Sequence, residues 1–456
     1  MVWQPAWAAM VRMGRESEME EGEMEGQVPA TTVDRGRPAA STRYSLLVLI
    51  IAFAGVALAG FDSIARSVSL PLIVRDLHTS VTFGSAVFGV SFLVTAVADQ
   101  VLGFLAERWG RKHAFLVALI ATALTSGVTG FANGVVFYAI AGSLAGVCLS
   151  TNGIAPLLVG EETSPGLRGL YLGILLSAFT VGSLVISLVG AVVLPTGNWR
   201  LLFYLAFAPV ILAAIAALVL REPPRAREAR LVKLASDPGT VRVEHPIDIR
   251  RARRSEWAQI FAEDLRRQTI VLLVVGFLIN INQSLVVVLG VTYFNGYDRL
   301  PIGLASLTVS VSSLAGLAGT IGLGRLSDYL SPRNLVVALT VVASLVIMTF
   351  AVRMQAAPIF ALVAVLGLCA SGSLAIWNRY VVESYPTRAR GTGLMLVSGV
   401  FFLNGTFAPP LFGALIDRDL YPAAALIAGG IGIIGALILL GGRAIPPRRE
   451  LEEIAI

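Results

Sequence analysis

The chain has 456 residues, of which 56% are hydrophobic and only 14% are charged, whereas a soluble domain carries about 25% charged residues. This composition excludes an ordinary soluble globular protein. The net charge of +6 does not indicate nucleic-acid binding, because twelve of the 35 Lys and Arg residues lie in one segment, 221–267. Cys148 and Cys369 both stand inside apolar runs, which predicts buried free thiols and no disulfide framework.

A polar segment, residues 1–43, opens the chain, and we predict it to be a disordered cytoplasmic tail. Many of the apolar runs that follow reach the ~20 residues that cross a bilayer as a helix. They predict twelve transmembrane helices, which we number α1 to α12. Their ranges are 44–74, 84–106, 113–131, 135–160, 169–194, 199–220, 269–293, 302–323, 335–351, 358–382, 391–415 and 421–440.

The predicted fold class is therefore an all-α membrane protein with twelve transmembrane helices in two pseudo-symmetric six-helix bundles, at 44–220 and 268–442. Between them we predict a cytoplasmic central loop, 221–267, and after them a cytoplasmic tail, 443–456. Trp257, Ile260, Phe261 and Leu265 fall at helical spacing near the end of that loop. This spacing favours an amphipathic helix on the membrane surface over an ordinary linker helix.

The basic residues predict the topology, since Lys and Arg are enriched in cytoplasmic loops. With both termini cytoplasmic, the inner loops carry 20 Lys and Arg residues and the outer loops carry five. Twelve of those 20 belong to the central loop, so the assignment depends mainly on that segment. We predict a multi-pass protein of the plasma (inner) membrane.

An internal repeat links the two predicted bundles at an offset of 221 residues. The stretch Gly103-Phe-Leu-Ala-Glu-Arg-Trp-Gly-Arg-Lys112 has a weaker copy at Gly324-Arg-Leu-Ser-Asp328. The matched positions include two pairs of acids, one pair of prolines and the only two cysteines: Glu107 with Asp328, Glu162 with Glu383, Pro165 with Pro386, and Cys148 with Cys369. A parallel repeat of two six-helix halves is the architecture of one large class of transporters.

Over nearly its whole length the chain resembles a major facilitator superfamily transporter. Gly103–Lys112 resembles the family signature between α2 and α3, with Glu107 in place of the usual Asp. Glu162-x-x-Pro165 with Arg168-Gly169, and Glu383-x-x-Pro386 with Arg390-Gly391, resemble motifs of its sugar porters and metabolite–proton symporters. Pro446-Pro-Arg-Arg449 stands where a sugar porter has a proline–glutamate signature, so the resemblance favours the metabolite–proton symporters.

The charged motifs all fall at the predicted cytoplasmic ends of helices, where partly buried charges need partners. We predict that they form networks that hold the cytoplasmic side shut and break when it opens. The alternative is helix-end capping and topology signalling. The predicted gate residues are Asp99, Gly103, Glu107, Arg108, Gly110, Arg111, Glu162, Arg168, Gly324, Asp328, Arg333, Glu383 and Arg390.

A substrate site is expected near the middle of the membrane, between the halves. Asp62 and Arg66 are the leading candidates, because ionisable residues at that depth are rare and a spacing of four lets them pair on α1. Asp62 would carry the coupling proton and Arg66 would bind a substrate carboxylate; the alternative is a structural ion pair.

Arg379 is either an anion contact or, as we favour, part of the gate, and Asp99 is either part of the gate or a proton carrier. The remaining candidates, each equally explained by interhelical hydrogen bonding, are Asn152, Asn282, Gln283, Trp377 and Asn378.

Neither a metal site nor an enzyme is predicted. No His or Cys pair has metal-ligand spacing, no phosphate-binding glycine-rich loop occurs, and no cofactor is expected. The sequence predicts a monomeric secondary active transporter that moves a small organic solute, an organic anion above all, with protons by alternating access. The alternatives are a proton-driven exporter of drugs or cations, and a sugar porter.

Overall fold

The structure is a computed structural model that describes residues 42–163, 165–221, 261, 263–327, 329–385 and 390–443. Most of the predicted tails and of the central loop with its surface helix lie outside these ranges. So do Asp328 and the side chains of Glu107, Arg168 and Arg390. Within the described ranges every regular element is helical.

Twelve helical segments follow one another in the order that the hydropathy predicts. In the first half, α4 and α6 are each built of two α-helical pieces. The bounds are α1 Thr42–Asp76, α2 Val81–Arg108, α3 Arg111–Thr129, α4 Val135–Leu144 and Thr151–Glu162, α5 Pro165–Val193, and α6 Arg200–Leu205 and Ala208–Val219. In the second half they are α7 Glu263–Gly296, α8 Ile302–Leu326, α9 Pro332–Thr349, α10 Ala356–Ser384, α11 Arg390–Ile416 and α12 Tyr421–Leu440.

Eleven of the described helices are long and apolar enough to cross a membrane. The twelfth, α11, is 27 residues long, and its segment Leu403–Ile416 is apolar. The prediction of an all-α, multi-pass membrane protein is confirmed.

The breaks in α4 and α6 have local causes. In α4 a 3-10 segment, Ala145–Ser150, joins the two pieces, and Thr95 of α2 donates a hydrogen bond of 2.7 Å to the carbonyl of Gly146 within it. In α6 the second piece begins beside Pro209, which has no N–H to continue the hydrogen-bond ladder.

The two halves repeat one packing pattern. In the first half α1 packs on α5, α2 on α4, and α3 on α6; in the second half α7 packs on α11, α8 on α10, and α9 on α12. The halves meet along three seams, α2–α11, α5–α8 and α1–α7. The predicted arrangement of two pseudo-symmetric six-helix bundles is confirmed.

The three seams are closed at one end of the molecule. We call the membrane side with the α2–α3 and α8–α9 loops the motif side and the opposite side the far side. Towards the far side, Ser187 and Ser310 of the α5–α8 seam share a hydrogen bond of 2.7 Å. Ser67 of the α1–α7 seam donates one of 2.7 Å to the carbonyl of Val288. In the α2–α11 seam, a methyl group on Gly89 would collide with the Thr406 carbonyl.

Towards the motif side the described residues of the same helices are less closely packed. Each of the four helices of the α2–α11 and α5–α8 seams carries a glycine there. A Cβ built on any of them would have no described atom within 4 Å; these are Gly103, Gly173, Gly324 and Gly399. Among the described residues the halves are therefore joined towards the far side, whereas their packing towards the motif side is looser.

Candidate substrate site and gates

A central cavity of about 300 Å³ lies between the halves. Most of its wall comes from α7, α8 and α10, with a smaller part from α1 and α5. Its far-side floor is closed by Ser183 and Ser313, whose hydroxyls are 3.0 Å apart. No charged side chain of the described residues lines it. The amide and aromatic side chains of the wall are Asn280, Gln283, Phe179 and Trp377.

The α7 wall is fixed to α11 by a hydrogen-bond network. Ser284 donates to Asn404 Oδ1 at 3.1 Å and to the Asn280 carbonyl at 2.9 Å. Asn404 donates in turn to the Phe277 carbonyl at 2.8 Å. Gln283 also lines the cavity, and no described residue forms a hydrogen bond with its side chain. It is therefore the amide best placed to bind a solute.

Trp377 is one of the two aromatic side chains of the wall, with 9% of its surface exposed. A Cβ on Gly276 of α7 would stand 3.2 Å from its Cζ2 atom, so glycine at that position leaves room for the indole edge. Of the five non-charged candidates predicted from the sequence, the structure brings Gln283 and Trp377 together at the cavity, and Asn280 joins them there.

Other predicted candidates lie elsewhere. Asn282 is fully buried and donates a hydrogen bond of 3.0 Å to Ser344 of α9, so it joins helices within the second half. Asn152 of α4 is not part of the cavity wall, and its Oδ1 is buried with no described partner. Asn378 is exposed and is also absent from the wall.

Asp62 and Arg66 face the interior of the first half. Ile64 is two residues from each of them and so lies on nearly the opposite face of α1. It is the α1 residue that lines the cavity. Asp62 is 1% exposed and Arg66 is 3% exposed. Asp62 and Arg66 thus lie behind the cavity wall, on the side of α1 that faces away from the cavity.

The expected pairing of Asp62 with Arg66 is not formed. The Arg66 guanidinium donates to the Gly142 carbonyl at 3.5 Å and to Cys148 Sγ at 3.7 Å, and its Cζ atom is 4.8 Å from the centre of the Phe88 ring. Both carboxylate oxygens of Asp62 and Nε of Arg66 are buried without a hydrogen-bond partner among the described residues. A buried carboxylate in this situation is costly unless it is protonated or gains a partner.

Asp99 occupies a second polar position of the first half, between α2 and α4. Its Oδ1 is buried without a described partner, as is the hydroxyl of Ser150, which lies beside it. A Cβ on Gly153 would be 3.9 Å from the same oxygen. The structure thus sets Asp99 against the break in α4.

In the second half the motif-side charges form a local network. Arg379 makes an ion pair of 2.7 Å with Glu383 and donates to the hydroxyl of Ser327, just after α8, at 3.0 Å. It does not line the cavity. Arg333 donates to the carbonyls of Leu440 and Gly442 at 3.1 and 2.8 Å and so caps the end of α12.

In the first half the motif residues shape the α2–α3 turn. Gly110 has φ of 104°, a conformation that side chains other than glycine rarely adopt. Arg111 donates to the Ala106 carbonyl at 3.1 Å. Arg108 is exposed, whereas Glu162 is only 7% exposed.

The sequence also matches a known family. The model of the Major Facilitator Superfamily matches residues 52–356 and 300–455. The chain belongs to the Major Facilitator Superfamily. The resemblance predicted from the Gly103–Lys112 and Gly324–Asp328 stretches is confirmed, and the protein is a membrane transporter.

Relatives of this superfamily member include transporters of carboxylic acids. The chain is 25% identical to the gallate transporter of Pseudomonas putida over 424 residues, which cover 89% of this chain and 90% of the relative. It is 22% identical to the cis,cis-muconate transport protein of Acinetobacter baylyi, with 86% and 94% covered. The inward-open xylose transporter XylE of E. coli has the same fold, with a TM-score of 0.68, 15% identity, and 90% and 99% covered.

Some residues of the cavity and of the seams were not predicted from the sequence of this superfamily member. The hydroxyls of the α5–α8 seam were missed, although Ser306, Ser310 and Ser313 stand at helical spacing on α8 and could have been recognised as one polar face. Phe179 gave no such signal, because one aromatic residue in an apolar helix is ordinary.

Proposed function

We propose that this transporter moves an organic acid as its anion, in symport with protons, by alternating access. The observation that carries the proposal is the cavity between the halves, which are joined by hydrogen bonds towards the far side, with Gln283 and Trp377 in its wall. An amide donor and an aromatic face suit a planar carboxylic acid. The gallate and cis,cis-muconate carried by two relatives are acids of this general kind.

Arg66 and Asp62 would supply the electrostatics of the site. The cavity wall holds no charged side chain of the described residues, so an anion entering it would be stabilised mainly by the buried Arg66 guanidinium behind it. Charges in a medium of low dielectric interact over several ångströms. Asp62 opposes that stabilisation while it is ionised, and protonation of Asp62 removes the opposition. Binding of a proton and binding of an anion would therefore favour each other, which is the requirement for symport.

We further propose that both termini are cytoplasmic, that the protein acts as a monomer in the plasma membrane, and that the motif side faces the cytoplasm. The charged motifs would then act as the cytoplasmic gate. The contacts of Arg379 with Glu383 and Ser327 support a role for Arg379 in that gate rather than in anion binding.

Uptake into proteoliposomes tests the proposal. A panel of organic acids, sugars and cationic dyes would be offered with and without an inward proton gradient. We expect accumulation of an aromatic or unsaturated carboxylic acid that depends on the gradient. Accumulation of a sugar or a dye in place of every acid would refute the substrate class, and acid uptake unaffected by the gradient would refute proton symport.

Proton-driven export of drugs or cations, the alternative left open by the sequence, has less support. A cation site would need an acid on the cavity wall, whereas Asp62 lies behind it and has Arg66 one turn away.

A further inference from the structure

The far end of the α2–α11 seam is held by a single carboxylate. Asp417 follows α11 and belongs to the second half, while α2 belongs to the first. Its Oδ1 accepts a hydrogen bond of 2.8 Å from the Val81 amide. Its Oδ2 accepts one of 2.8 Å from the Thr82 amide and one of 2.6 Å from the Thr82 hydroxyl.

These contacts complete the cap of α2. The first amides of a helix have no partner within it. In α2 the Phe83 amide donates to the Ser80 hydroxyl at 3.0 Å, and the two amides before it depend on Asp417. The carboxylate also lies at the positive end of the helix dipole. One residue of the second half thus accepts from two of the first three amides of a helix in the first half.

Among the described residues, the equivalent position in the other seam has no such contact. By the 221-residue offset, Ile302 at the start of α8 corresponds to Val81 of α2. The N-cap of α8 is Pro301, which makes no side-chain hydrogen bond. The described part of the α5–α8 seam is joined by serine hydroxyls instead. The carboxylate cap is therefore a feature of the α2–α11 seam and not of the repeat.

We infer that Asp417 is a gate residue of the transport cycle, which stabilises the far-side-closed state and is released each time the far side opens. When α2 and α11 part on the far side, the cap must break, and the Val81 and Thr82 amides must exchange Asp417 for water. The inference does not depend on the proposed substrate, because the contact joins the two halves whatever the cavity holds.

Thiol labelling of purified protein in detergent tests it without any substrate. Ser310, 5% exposed in the α5–α8 seam, would be replaced by cysteine as a reporter of far-side opening. Its rate of reaction with a water-soluble maleimide would be compared with the rate of protein lacking the reporter, since Cys148 and Cys369 are both buried.

Asp417→Asn should raise the labelling rate about threefold to tenfold, because the cap loses its charge and one acceptor while the contact is exposed to solvent. Thr82→Ala, which removes only the 2.6 Å contact, should raise it by a smaller factor. The matched control is Asp76→Asn, which breaks the ion pair of 2.7 Å with Arg200 at the same end of the molecule but within one half.

Labelling of Asp417→Asn at the wild-type rate would overturn the inference. So would an equal increase in Asp76→Asn, because it would reveal general loosening of the fold. Should Asp417→Asn fail to fold, Thr82→Ala decides alone: an increased rate supports the gate, and an unchanged rate refutes it.

Discussion

Asp62 gives the sharpest prediction at the scale of single residues. If it carries the coupling proton, Asp62→Asn resembles the permanently protonated side chain. We expect gradient-driven uptake to fall at least tenfold, while exchange of labelled for unlabelled solute, which needs no net proton release, is largely retained. Equal loss of both activities in a folded variant would instead indicate that Asp62 binds solute or supports the fold.

Gly276 tests the aromatic wall of the cavity. Gly276→Ala places a methyl group 3.2 Å from Trp377 Cζ2, so the indole must shift and the shape of the cavity wall changes. We expect KM to rise about threefold with little change in the maximal rate. The control is Gly290→Ala on the same helix, whose new methyl group would meet its nearest neighbour at an ordinary 3.4 Å. A similar rise of KM in both variants would exclude this explanation.

Asp298, in the α7–α8 loop, gives a prediction about pH. Burial raises the pKa of this carboxyl despite the hydrogen bond that it accepts from the Met354 amide and the nearby Arg353 charge. The folded state therefore binds the proton more tightly than the unfolded state, and the stability that this provides is lost as pH rises through the folded pKa. Asp298→Asn should raise Tm at pH 8 but not at pH 4. A larger gain at pH 4 would contradict the assignment.

The residue scale is also where the sequence alone was least informative. Spacing placed Asp62 and Arg66 on one face of α1, which is correct, but it could not tell which way that face turns. The rotation of α1 depends on its packing against neighbouring helices, and it turns Ile64 towards the cavity. The guanidinium then has the Gly142 carbonyl and the Phe88 ring within reach, so the pairing with Asp62 does not form.

At the scale of helices, the seams depend on residues without side chains. Gly89 of α2 lies so close to the Thr406 carbonyl of α11 that no side chain fits between them. Gly89→Val should therefore force the far side open, increase labelling of a cysteine at position 310 at least threefold, and reduce uptake. Gly173→Ala is the control, because no described atom lies within 4 Å of the new methyl group. Unchanged labelling in Gly89→Val would mean that the helices repack without opening.

The helices themselves were predictable, because a span of apolar residues and its flanking charges are local properties of the sequence. Their partners were not, except through the repeat. Once α2 and α8 are recognised as equivalent, contact of α2 with α11 implies contact of α8 with α5. The asymmetric cap on α2 had no such signal, since Asp417 reads as an ordinary acid in a short loop.

At the scale of the whole molecule, an even number of spans puts both termini on one side. We expect reporter domains fused to either terminus to be active only in the cytoplasm. A cysteine at the exposed position 108 should be inaccessible to an impermeant reagent added to intact cells and reactive after the cells are opened. Reaction in intact cells would reverse the proposed orientation and with it the assignment of the motif side to the cytoplasm.

The serine hydroxyls of the α5–α8 seam lower the free-energy cost of hydrating that seam when the two helices part. Ser187 bonds not only to Ser310 but also to the carbonyl of Ser183 in its own helix, at 2.8 Å. When the helices part, this hydroxyl keeps a partner and water can replace the other. An apolar seam would expose hydrocarbon to water on opening, with a cost that grows with its area. A seam of hydroxyls avoids most of that cost, so the two surfaces can separate, hydrate and join again in every cycle.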